Sequence, residues 1–155
     1  MFLPHQAGLF ASLPELDESA RYAFFLRGVV RGFDVSSLRF KETGYVNFSI
    51  PATTTFNTIR VAQNERVATV IRDTVIPESR AALRLCDGKP VAGLSFHLSI
   101  PAYNFVTGGE AKFDDLLVYI KTSELRALDA ADITTQKLVD ASYILLNGSR
   151  IEVKL

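Results

Sequence analysis

Cysteine is nearly absent. Cys86 is the only one, so no disulfide can close within the chain, and with two histidines no Cys/His set exists for a structural zinc site. Tryptophan is missing altogether. Net charge is missing too: 17 Lys and Arg balance 17 Asp and Glu. That balance removes whole-chain attraction to phosphate, and it leaves little repulsion to oppose self-association near the pI of 6.7. No apolar run approaches the ~20 residues of a membrane-spanning helix. The apolar patches in residues 1–16 lack a basic leading segment and are broken by Pro4, His5 and Pro14, unlike a signal peptide. The expectation is a soluble chain of the cytoplasm or a virus particle, not one secreted through a signal peptide. Phosphate-cradling loops are also lacking. Gly28 and Gly32 are not followed by Lys-Ser/Thr, and no helix signal stands behind Gly108-Gly109.

What remains is ordinary globular composition, 48% hydrophobic and 22% charged, in a length of 155 residues that suits one domain. Residues 1–11 read as an apolar arm carrying Phe2, Leu3, Leu9 and Phe10, and residues 12–155 as a single β-rich domain. Ser-Ile-Pro-Ala occurs twice, at 49–52 and 99–102. Each copy closes an alternating run, Val46-Phe48-Ile50 and then Leu94-Phe96-Leu98-Ile100, with the period of a half-buried strand. The proline suits a strand end. Residues 43–121 are therefore the expected β core, either as two related halves or as two strands that stop alike.

Ser12 and Glu15 form a capping box for a helix to about Leu26, followed by a strand to about Val35. The β-branched run from Val67 to Ile76 predicts a strand, as does the stretch Ile59–Val61. Pro77, Glu78 and Gly88 favour a short helix over 78–86. Val91–Ile100 and Leu116–Lys121 predict central strands, and Ser123–Ala131 a short helix. Asp132 is positioned to cap another helix through Val139. Asn147-Gly148 between apolar runs predicts a type I′ hairpin over residues 142–155. The expected class is α+β, mainly β: a β-sandwich or barrel-like antiparallel core with an N-terminal helix, short C-terminal helices and a terminal β-hairpin.

Three groups of residues could carry chemistry. His97 shares a strand row with Ser95 and Ser99, with Asp114 as a candidate acid, but two-residue spacing separates base and hydroxyl by roughly 6–7 Å. No strained Gly-x-Ser-x-Gly turn exposes a nucleophile. A polar sheet face is preferred to catalysis. Glu110, Asp114 and Asp115 lack the spacing of a calcium loop, so neither a metal nor a cofactor is expected. Arg27, Arg31, Arg39 and Lys41 interleave with aromatics as on a single-stranded nucleic-acid platform. Core aromatics beneath a solvated basic face explain that pattern more simply, which disfavours nucleic acid as a partner. Cys86, near Arg84 and Lys89, reads as a buried, inert thiol.

Residues 133–138, Ile-Thr-Thr-Gln-Lys-Leu, resemble the Ile-Thr-Thr-x-Lys-Leu linker elements of bacteriophage tail-fibre and related virion proteins. Residues 28–33, Gly-Val-Val-Arg-Gly-Phe, are similar to the β units of such fibres. The resemblance implies a virion structural subunit with no catalytic residue to transfer. The leading expectation is thus a non-enzymatic subunit of a symmetric assembly whose partners are copies of itself or other subunits. Its nominated contacts are Phe2, Leu3, Leu9, Phe10, Tyr103 and Phe105. The alternatives are a small-molecule-binding domain or enzyme with a β-lined pocket near His97, Tyr103 and Asp114, and single-stranded nucleic-acid binding through residues 21–41.

Overall fold

A computed structural model describes residues 34–50, 55–86, 91–110 and 112–155. The expected arm with Phe2, Leu3, Leu9 and Phe10, the N-terminal helix, and Arg27 and Arg31 lie outside the described residues.

Strands β1 (Asp34–Phe40) and β2 (Thr43–Ile50) form a hairpin, followed by the two-residue β3 (Phe56–Asn57). A helical crossover comes next: α1 (Gln63–Val70), a π-helical segment (Ile71–Val75) and α2 (Ile76–Leu85). A second hairpin pairs β4 (Gly93–Tyr103) with β5 (Lys112–Lys121). Helices α3 (Thr122–Asp129) and α4 (Thr135–Ala141) lead to a last hairpin, β6 (Tyr143–Leu146) and β7 (Ser149–Arg150).

The described strands form one sheet in the order β1-β2-β4-β5-β6-β7, with β3 also pairing β4. The expected mixture of helix and dominant β structure is present; among the described residues the strands form one sheet that does not close into a barrel, with no second sheet facing it. Nor is it wholly antiparallel. β2 and β3 both run parallel to β4, because a helical crossover returns the chain to the sheet in the same direction.

The helical crossover overturns the strand expected over Val67–Ile76. Val67, Val70, Ile71 and Val75 are all buried, and their spacing is that of one helix face continued by Ser79, Ala82, Leu83 and Cys86. Tertiary burial of that stripe outweighs the β-branched preference of the individual residues. Pro77 accounts for the π segment just before it. The proline cannot donate to a carbonyl in the preceding turn and its ring crowds that carbonyl, so the helix widens there. The helix expected over 78–86 is found as part of α2. The strand expected at Ile59–Val61 is instead a turn, closed by bonds from Arg60 N and Val61 N to the Asn57 carbonyl.

Alternation sorts the sheet into two rows. Val46, Phe48, Ile50, Leu94, Phe96, Leu98, Ile100, Leu116, Val118, Ile120 and Ile144 join the apolar faces of the helices in a single core. Phe48 and Phe96 stack there with centroids 5.4 Å apart. The opposite row carries Tyr45, Asn47, Ser95, His97, Asp115, Tyr119 and Tyr143.

The Ser-Ile pairs that open the two Ser-Ile-Pro-Ala copies lie on neighbouring parallel strands out of register, Ile50 opposite Leu98 rather than Ile100. Pro101 does not end its strand. It falls between the last β2 partner, Leu98, and the first β3 partner, Ala102, where no parallel ladder needs its missing N–H. Helix α4 is capped by Thr134, whose hydroxyl accepts from Lys137 N at 3.2 Å, and not by Asp132.

The terminal hairpin has the expected turn, with φ of 50° at Asn147 and 82° at Gly148. Its second strand is short, however. Ile151 N still donates to the Ile144 carbonyl at 3.1 Å; beyond it the chain is held by Gln136, which donates to the Val153 carbonyl and accepts from Leu155 N, both at 2.9 Å. Among the described residues, no helix is long and apolar enough to cross a membrane.

Candidate functional site

The long β4–β5 hairpin places most of the nominated residues. His97 and Asp115 lie on the same row, and His97 Nε2 meets Asp115 Oδ1 at 2.5 Å. The nominated acid, Asp114, is one residue away in sequence and therefore on the opposite face. It does not join His97. Instead it accepts from Arg66 Nη2 at 2.8 Å, Gln63 Nε2 at 2.8 Å and Asn147 Nδ2 at 3.2 Å. Burial alone would raise its carboxyl; those three donors and the Arg66 charge outweigh that and hold it below the usual range. Arg66 is itself buried, and its Nη1 donates to the Val61 carbonyl. Asp114 thus ties α1 to the sheet and to the last turn, a structural role.

The hydroxyls around His97 do not make a nucleophile. Ser95 is fully buried and donates to Asn47 Oδ1 at 2.8 Å, while the Asn47 amide donates to Ser36 Oγ at 3.2 Å. Ser99 is exposed and pairs with Asp115 across the ladder, and no hydrogen bond joins it to His97 among the described residues. A carboxylate on one ring nitrogen orients an imidazole, but nucleophilic catalysis also needs an attacking group within reach. An open cleft of ≈ 600 Å³ lies between α1 and the C-terminal segment, lined by Val61, Val67, Leu146 and Val153. It contains none of His97, Tyr103 and Asp114, so the three residues nominated for a β-lined pocket do not line it.

The far end of the same hairpin is apolar and exposed. Tyr103 and Phe105 stack with centroids 6.2 Å apart and are 37% and 62% exposed. The sequence reading missed three neighbours: Val106, Phe113 and Ile59, at 80%, 60% and 56%. Phe113 pairs with Pro101 across the hairpin, and Thr58, beside Ile59, donates to the Tyr103 carbonyl at 2.8 Å. Phe113 shares the alternation that runs through Asp115 and Leu117, so its place on the outer row was in the sequence. Its exposure was not.

Among the described residues, no cluster of His, Cys, Asp and Glu could hold a metal ion. Cys86 is fully buried, and burial pushes its thiol up to about 11 despite the nearby Arg126 charge. Arg39 is exposed and donates to the Glu42 carbonyl at 3.4 Å, while Lys41 sits over aromatic rings. No family model, no curated protein and no solved structure matches this chain.

Proposed function

We propose that this protein is a structural subunit that assembles with copies of itself, in a particle of the kind the tail-fibre resemblance implies. The observation that carries this reading is the apolar tip of the β4–β5 hairpin. Its large side chains Tyr103, Phe105, Val106 and Phe113, with Ile59 in the turn that bonds to the Tyr103 carbonyl through Thr58, are solvated in the single chain, and exposed apolar groups gathered in this way are normally found buried against a partner.

A second copy fits that surface. Glu110 and Lys112 flank the tip, both exposed and neither in an ion pair among the described residues. A two-fold contact between tips would set each opposite its complement on the other chain, as isologous interfaces require. A chain of zero net charge does not oppose that approach.

Light scattering coupled to size exclusion tests the reading. The wild type should run as a defined oligomer, and Phe105→Ser with Val106→Ser should shift it to monomer with an unchanged melting temperature, since both side chains are solvated in the single chain. A wild-type monomer at high concentration would overturn the proposal.

A further inference from the structure

One end of the row opposite the core is a cluster of rings. Phe40 stacks on Tyr119 at 4.1 Å and lies 4.8 Å from Tyr143; Tyr45 meets Tyr119 edge-on at 5.2 Å. The cluster has room because Tyr45 lies across Gly93, its partner in the ladder. A Cβ on that glycine would come within 2.2 Å of the Tyr45 ring. Phe40 and Tyr143 are half-buried, whereas Tyr45 and Tyr119 are buried.

Two cations from distant parts of the chain lie over these rings, and a third stands on the same row. Lys41 Nζ lies 4.2 Å from the centre of the Tyr143 ring and 5.5 Å from that of Phe40. The Arg150 guanidinium lies 4.5 Å from the Tyr143 centre. Lys121 ends the strand of Tyr119, two residues along the same row, and is exposed. Among the described residues, none of the three is paired with a carboxylate. Cations are attracted to ring faces, but that attraction leaves the charge un-neutralised and free to meet an anion.

The turn that carries Lys41 is strained. Lys41 and Glu42 have φ of 46° and 64°, a left-handed pair that residues other than glycine rarely adopt. Asn-Gly, which suits such a turn and is used by this chain at 147–148, is not used here. Strain of this kind is retained where a side chain's position matters.

From these observations we propose that the Phe40–Tyr119–Tyr143 cluster with Lys41, Lys121 and Arg150 is a binding surface for single-stranded nucleic acid. A single strand offers both halves of what the surface presents: phosphates for the three cations and flat bases for the half-buried rings and the Arg150 guanidinium. An acidic peptide would use only the cations. Net neutrality of the chain is no obstacle, because the cations are gathered locally. The surface also differs from the basic segment 21–41 that the sequence suggests, since only Phe40 and Lys41 are common to both.

The experiment is fluorescence anisotropy of the full chain with a labelled oligothymidine. Binding should weaken with salt along a log–log slope of about −2, from about −0.7 per phosphate for three contacts. Lys41→Gln with Arg150→Gln should reduce the slope to about −0.7. Tyr143→Leu should cost at least about fivefold in affinity by removing ring stacking. Lys137→Gln, exposed and outside the surface, should change nothing. All the substituted side chains are exposed or half-buried, and unchanged thermal melts would certify folding. No binding, binding indifferent to the Lys41 and Arg150 changes, or equal capture of polyglutamate would each overturn the proposal, the last by showing a surface that reads only charge.

Discussion

Asp114 shows how a single atom's environment decides a residue's role. Two of its oxygen contacts, to Arg66 and Gln63, are 2.8 Å, and Arg66 is buried with it. Asp114→Ala strands a buried guanidinium, and removal of one partner from such a pair costs about 3 kcal/mol; chemical denaturation should read that loss. The pH dependence follows from the lowered carboxyl. A folded value below the unfolded one gives stability that is fully present above the unfolded value of about 3.9 and is lost as pH falls through the folded value. Wild-type stability should therefore drop below about pH 4, and the variant should lose part of that acid limb. Cys86 gives a simpler test. With its thiol fully buried and pushed up to about 11, labelling by a thiol reagent should track global unfolding and be undetectable in the native state. The burial of Cys86 was expected despite Arg84 and Lys89 beside it, because no partner groups of a thiol enzyme are evident in the sequence. The assignment of Asp114 was not, because a shift of one residue moves a carboxylate to the other side of a sheet and only register reveals which neighbours await it.

At the scale of elements, the three hairpins differ in how well their turns suit them. Asn147-Gly148 matches its left-handed backbone and doubles as a clamp: Asn147 N donates to the Asp115 carbonyl, and its side-chain oxygen accepts from Asp115 N, both at 2.8 Å. Lys41-Glu42 does not match its backbone. Glu42→Gly should relieve about 1 kcal/mol of strain and raise the melting temperature by about 3 °C, while keeping Lys41 in place. A fall in melting temperature would show that Glu42 contributes a contact of its own. The crossover between the first two hairpins illustrates a conflict of signals. Val67–Ile76 contains both a β-branched composition and a helical spacing, and a local reading weighs composition first. Only the apolar face of the sheet, which the stripe covers, selects the helix.

For the whole molecule, solvation of the β4–β5 tip and the absence of net charge lead to the same expectation. Association should strengthen as pH approaches 6.7, where charge repulsion vanishes, and Val106→Asp should suppress it at every pH; light scattering reads both. Gly93→Ala acts on the whole in another way. With Tyr45 only 2.2 Å from the new methyl group, the ring must leave its place, so the tyrosine cluster should loosen and binding of oligothymidine should weaken more than stability does.

The sequence by itself determined the elements whose cause is local. Alternation placed β2 and β4, a continuous apolar run placed β5, Asn-Gly placed the last turn, and proline with an acidic first turn placed α2. Tertiary structure decided which strands became neighbours and in which direction, and hence that the sheet stays open and mixed. It also decided that Lys41, Tyr143 and Arg150 share one surface while Asp114 and Asp115 do not. Local signals act over one or two turns of chain, whereas pairing across a sheet depends on how distant apolar rows cover one another, and no stretch of sequence contains both sides of that contact.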